Sequence, residues 1–156
     1  EDVQDERDVG PAGARLAYEL EWVPPASAWD AWRATHFEAS VPPESAAPDA
    51  DPDGDGVSNL LEYALGGDPW AADVEKLPRV NTEANERLTF TFQRIADPQL
   101  VYEMQGANDL GAGSWSTIWT STGEANQAGP VTVPDTVTLD EAPRRFLRLK
   151  VSLQLP

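Results

Sequence analysis

The sequence predicts a mainly β protein, an antiparallel β-sandwich, with two short helices in its N-terminal half. Three observations carry that prediction. From residue 88 onward, apolar and polar residues alternate with period two. Gly, Asn and Pro interrupt these runs at short intervals. Between residues 27 and 65 the periodicity is helical, and charge is divided unevenly: residues 1–78 hold 18 acids and 4 bases, residues 79–156 hold 9 acids and 7 bases. The halves are therefore expected to do different work, with an N-terminal arm and strand (1–26), a helical region (27–76) and the sandwich (77–156).

The elements follow in order. An acidic arm leads into residues 15–22, where Leu16, Tyr18, Leu20 and Trp22 alternate with Arg15, Ala17, Glu19 and Glu21, the pattern of a half-buried strand. Pro24 and Pro25 stop it. Ser27 is placed to cap a helix over 28–37, with Asp30 three residues on as a variant capping box, and Trp29, Trp32 and His36 share one helix face. Residues 38–50, rich in Pro, Ala, Ser and acids, read as a loop. A second helix is expected over 58–65, ended by Gly66 and Gly67, with Pro69 shortly beyond. Residues 77–86 read as a linker. Strands are then expected at 88–93, 101–105 and 114–120, with two short runs, 131–133 and 136–139, separated by Pro134 and Asp135. The last strand, 147–155, places Leu147, Leu149, Val151, Leu153 and Leu155 on one face and Arg148, Lys150, Ser152 and Gln154 on the other.

Composition excludes much chemistry. A formal net charge of −16 repels phosphate backbones and anionic lipid heads, so neither nucleic acid nor a membrane surface is an expected partner. No apolar stretch is long enough to insert into a bilayer. With no Cys and one His, thiol nucleophiles, disulfides, Cys/His zinc sites and paired-His chemistry are out of reach. An enzyme would have to rely on carboxylates, and these lie in turns or on solvent faces rather than in the apolar pocket that a catalytic acid needs. His36 stands on an aromatic helix face without a nucleophile motif, which points to packing or capping. No catalytic activity is expected.

One motif carries specific chemistry. The run Asp51-Pro52-Asp53-Gly54-Asp55-Gly56-Val57-Ser58-Asn59-Leu60-Leu61-Glu62 fits a calcium loop at each informative position. Calcium takes six to eight oxygens, and such a loop supplies them from positions 1, 3, 5, 7, 9 and 12, with Gly at 6 for the sharp turn. The expected ligands are Asp51, Asp53, Asp55, the Val57 carbonyl, Asn59 or a water it holds, and Glu62. An acidic Asp-Gly turn is the plainer reading, but it leaves Gly56 and Glu62 together unexplained. Magnesium suits the loop less, because it demands octahedral geometry and keeps its waters.

The segment DPDGDGVSNLLEYALGGDP resembles the calcium loops of thrombospondin type 3 repeats and dockerins. It is similar also to a segment near the C-terminus of large secreted bacterial proteins, where an aromatic helix precedes it and a β-rich tail follows. The resemblance implies an EF-hand-like, calcium-binding extracellular module. Dockerins carry two loops and this chain has one, so the resemblance does not extend to cohesin binding. The segment 38–50 displaces the first helix from the loop, which departs from a full EF-hand.

The expected function is a secreted, non-enzymatic, calcium-binding structural or adhesive module, and its expected partner is itself. The chain starts at Glu1 rather than Met, which fits removal of a signal peptide or excision from a longer protein. The strand containing Leu16, Tyr18, Leu20 and Trp22 is expected to be donated to a sheet edge of a neighbouring subunit, head to tail, giving a filament. The alternative is pairing within its own chain beside 147–155, where Glu19 and Glu21 match the spacing of Arg148 and Lys150. A competing function is an accessory module of a polysaccharide-degrading enzyme, with Trp115 and Trp119, two positions either side of Thr117, as an aromatic platform for glycans. A carboxylate hydrolase is the weakest class.

Overall fold

The computed structural model describes residues 27–84, 86–111 and 113–154. The strand expected at 15–22, with Leu16, Tyr18, Leu20 and Trp22, lies outside the described residues, as does Leu155. The described chain is mainly β, with two antiparallel three-stranded sheets and two α-helices. No helix among the described residues is long and apolar enough to cross a membrane.

Helix α1, Ala28–His36, begins at the expected capping box. Ser27 Oγ accepts from the Asp30 N–H at 3.1 Å, and the Asp30 carboxylate accepts in return from the Ser27 N–H. Trp29 is buried and stacks on Trp32 at 5.2 Å, and the two rings meet Tyr63 at 5.4 and 5.5 Å. His36 packs on Trp32 at 4.5 Å and donates from Nδ1 to the Trp32 carbonyl, a packing and helix-end role. The expected loop at 38–50 contains one 3-10 turn, Pro43–Ala46. Helix α2, Asn59–Leu65, ends where Gly66 takes φ of 72°, a left-handed conformation that costs glycine little.

The first sheet has the order β1-β2-β5, formed by β1 (Arg79–Thr82), β2 (Arg87–Arg94) and β5 (Gly129–Thr138). Strand β1 occupies the expected linker. Its four residues are all exposed, so it carries no apolar alternation and is held by backbone pairing to β2. Strand β5 unites the two runs expected at 131–133 and 136–139. It contains Pro130 and Pro134, which an edge strand tolerates because its outer N–H groups have no ladder to join. Pro134 lies opposite Thr89, where the register with β2 shifts.

The second sheet has the order β4-β3-β6, formed by β3 (Leu100–Ala107), β4 (Ser116–Thr122) and β6 (Phe146–Leu153). Leu100, Tyr102 and Met104 are fully buried in β3, and their partners across β6 are Leu153, Val151 and Leu149. Both sheets and both helices feed one core. Phe90, Phe92 and Val133 come from the first sheet, Leu100, Tyr102 and Met104 from the second, and Trp29, Tyr63, Ala64 and Leu65 from the helices. Phe92 meets Tyr102 at 6.0 Å between the sheets.

Candidate metal centre

The acidic loop precedes α2, and its shape comes from its own side chains. Asp51 Oδ1 accepts from the Gly54 N–H and Oδ2 from the Gly56 N–H, both at 2.9 Å. Asp53 Oδ1 accepts from the Asp55 N–H at 3.2 Å, and Asp55 Oδ1 from the Val57 N–H at 2.8 Å. Gly54 and Gly56 have φ of 77° and 90°, which only glycine adopts without strain, so the turn expected at position 6 is present. Hydrogen bonding, led by the Gly56 N–H, holds the Asp51 carboxyl below its ordinary range. Desolvation, then repulsion from Asp55, pushes Asp53 above it despite the Asp55 N–H bond.

These bonds draw one oxygen from each of Asp51, Asp53 and Asp55 within 4.8 Å of one another, a set that could hold a metal ion. Glu62 stands beside this triad but outside that 4.8 Å group. It is only 5% exposed, and no hydrogen bond or ion pair from a described residue reaches its carboxylate. Its charged neighbours are acids. Burial first, then repulsion from Asp55, Asp73, Asp53 and Asp68, pushes its carboxyl up to about 7. The backbone of Gly67 lies against it so closely that a Cβ there would overlap Glu62 Oε2.

Val57 is buried, and its N–H is committed to Asp55. Asn59 is fully buried and its amide nitrogen bridges the carbonyls of Ser45 and Ala47, both at 2.8 Å. This leaves Asn59 Oδ1 as a buried acceptor without a partner among the described residues. Asp68, Asp73 and Gly67 complete the surroundings of Glu62, although in the sequence Gly67 reads only as helix punctuation and no motif includes the two acids. Asp68, in the Gly-Gly-Asp-Pro turn that brings the chain back past the helix end, was the available signal.

The loop's helix is fixed to the sheets by polar groups inside the core. Tyr63 Oη donates to Asp97 Oδ2 at 2.6 Å, and Tyr102 Oη donates to the Ala64 carbonyl at 2.8 Å. Burial pushes both phenols up, Tyr102 to about 12. Asp97 is 2% exposed and accepts also from the Gln99 N–H at 2.8 Å, so its lone pairs are satisfied where the chain turns between β2 and β3.

The pair expected as a platform is divided. Between β3 and β4 the register shifts after Met104, which faces Trp119, to Gln105, which faces Thr117, and Ile118 is the extra residue. Such a bulge cancels the alternation on which the shared face depended. Trp119 packs against the core and meets Phe92 at 6.0 Å, whereas Trp115 lies under the Arg148 guanidinium at 4.1 Å. Lys150 is paired with Glu103 at 2.7 Å and Arg148 donates to Gln105 at 2.8 Å, so the polar face of β6 finds partners on β3.

Comparison of the chain with protein-family models, with curated proteins and with solved structures found no match.

Proposed function

We propose that this chain is a calcium-binding, non-enzymatic structural module of a secreted protein, its sheets forming a small sandwich and its loop an EF-hand-like ion site. The observation that carries the reading is Glu62, a residue only 5% exposed, whose carboxyl has no donor among the described residues and is repelled by four neighbouring acids. Without a cation such a group is driven to hold a proton, and a bound cation would stabilise its ionised form instead. The residues that would hold it are Asp51, Asp53, Asp55, the Val57 carbonyl, Asn59 through its unpartnered Oδ1 or a water, and Glu62. All are oxygen donors, which suits a hard ion, and their number suits calcium better than magnesium. Bound calcium would neutralise the loop and fix the start of α2 against the core. An affinity of about 10⁻⁴ to 10⁻³ M, typical of extracellular modules, would keep the site filled outside a cell.

Isothermal calorimetry tests this on the wild type and on Glu62→Ala. Calcium heats in the wild type, at least tenfold weaker binding in the variant and a calcium-dependent rise in melting temperature in the wild type alone are expected. Equal binding by both proteins, or none by either, would overturn the assignment.

A further inference from the structure

Among the described residues, every hydrogen bond that joins the segment 38–50 to another part of the chain ends on Asn59 or Leu60. The Asn59 N–H donates to the Ala50 carbonyl at 2.8 Å and the Leu60 N–H to the Pro48 carbonyl at 2.9 Å. The Asn59 amide nitrogen adds the Ser45 and Ala47 carbonyls, both at 2.8 Å. The segment's other bonds are local turns: Val41 to Glu38, Ser45 to Pro42, Ala47 to Glu44 and Ala50 to Ala47. Asn59 and Leu60 open α2, where the first N–H groups of a helix have no partner within it. Ser58, at the N-cap, gives no side-chain bond, and the carbonyls of Pro48 and Ala50 serve in its place. The helix start and the segment therefore depend on each other.

The acidic loop lies between Ala50 and Asn59, so the bond between those two residues closes it. Asp51 follows one end and Glu62 stands one turn beyond the other. The acidic side chains do not make this closure: Asp51 bonds Gly54 and Gly56, Asp53 bonds Asp55, and Asp55 bonds Val57, all inside the loop. What reinforces it is the Asn59 side chain, which is fully buried and donates twice to the segment that leads into the loop.

We propose, resting on the calcium reading of this loop, that Asn59 is a positioning residue of the ion site, acting through its amide nitrogen, and that calcium binding and the anchorage of residues 38–50 on α2 are one coupled event. An ion held by both Asp51 and Glu62 stabilises the closed ends and so tightens the segment. By reciprocity the anchored segment preorganises the ends and lowers the ordering that the ion must impose. The residue type separates this role from that of a ligand. An ionised aspartate at this position would offer calcium a better oxygen than asparagine does, but it has no N–H to give to Ser45 and Ala47.

Hydrogen exchange on the unmodified full chain, in calcium chloride and in chelator, reads the coupling without a substitution. Calcium is expected to slow exchange at least tenfold at Ser45, Ala47 and Ala50, in step with Asn59 and Leu60. A purely architectural Asn59 would leave 38–50 exchanging alike in both conditions, with any added protection confined to 51–62, and that result would overturn the coupling while calcium binding stood. Calorimetry on Asn59→Asp separates the two roles: at least tenfold weaker calcium binding than the wild type is expected, and binding as tight or tighter would overturn the positioning role. Where that variant does not fold, the exchange comparison on the wild type decides. No calcium binding by the wild type would overturn the calcium reading itself, and the coupling with it.

Discussion

With calcium chelated, raising the pH from 5 to 8 is expected to destabilise the protein, and Glu62→Gln to remove most of that dependence. The Glu62 carboxyl is raised from an ordinary value of 4.5 to about 7, by burial first and then by its acidic neighbours. Between those values the folded state keeps a proton that the unfolded chain has released. Stability therefore declines as pH rises through the window, the full penalty being present above about 7 and absent below about 4.5. The gap corresponds to a ceiling of about 3 kcal/mol. The carboxylate borders a solvent-facing loop, and screening there reduces the effect to about 1.5 to 2 kcal/mol. Asp53 is raised as well, by desolvation first, and acts in the same direction. Asp51, Glu103, Asp109, Asp135 and Glu141 are held below their ordinary range, so their contributions change at more acidic pH and leave the window clear. Urea unfolding followed by Trp fluorescence at pH 5, 6.5 and 8 reads the slope, and millimolar calcium should reverse it because protons compete with the ion. Stability that rises with pH in chelator, or a full slope retained in Glu62→Gln, would refute the reasoning.

Gly67→Ala places a Cβ on Glu62 Oε2 and should weaken calcium binding about tenfold or more by calorimetry while the sheets remain folded by circular dichroism. Tyr63→Phe removes the donor to the buried Asp97 and should cost about 1.5 to 3 kcal/mol in urea unfolding. Arg145 and Asp135 form a bidentate pair, 8% and 0% exposed, at 2.6 and 2.8 Å. Arg145→Ala should therefore cost about 3 to 5 kcal/mol, against about 0 to 1 for Lys150→Ala at the exposed end of the Glu103 pair, and equal losses in the two would contradict the burial argument.

The strong periods in the sequence translated directly into elements. Ser27 and Asp30 define the start of α1, Gly66 ends α2, and Tyr102 and Met104 reach the core. What escaped was set by partners distant in sequence. Strand β1 has only exposed side chains, and its identity lies in backbone bonds to β2. Pro134 with Asp135 divides in sequence what is one strand in the structure, because the compatibility of a proline with an edge is decided by the strand order. The division of Trp115 from Trp119 depends on one extra residue, Ile118, a shift that alternation cannot register because the bulge is a property of the pair of strands.

Asn59 shows how this limit reaches into the candidate site. Read from the sequence as position 9 of a calcium loop, its residue type points to the ion. Its amide nitrogen instead bridges the carbonyls of Ser45 and Ala47, in a stretch of Pro, Ala and Ser without any period to announce a partner. Its Oδ1 remains unpartnered among the described residues, and the preceding backbone is tied down by the Asn59 N–H to the Ala50 carbonyl at 2.8 Å and the Leu60 N–H to the Pro48 carbonyl at 2.9 Å. The segment that displaces α1 from the loop is thus fastened to the loop through one side chain and two backbone bonds. A complete EF-hand braces its loop with the helix before it. In this chain a buried amide and a 3-10 turn hold the acidic loop, and the same Asn59 retains a buried oxygen without a partner among the described residues.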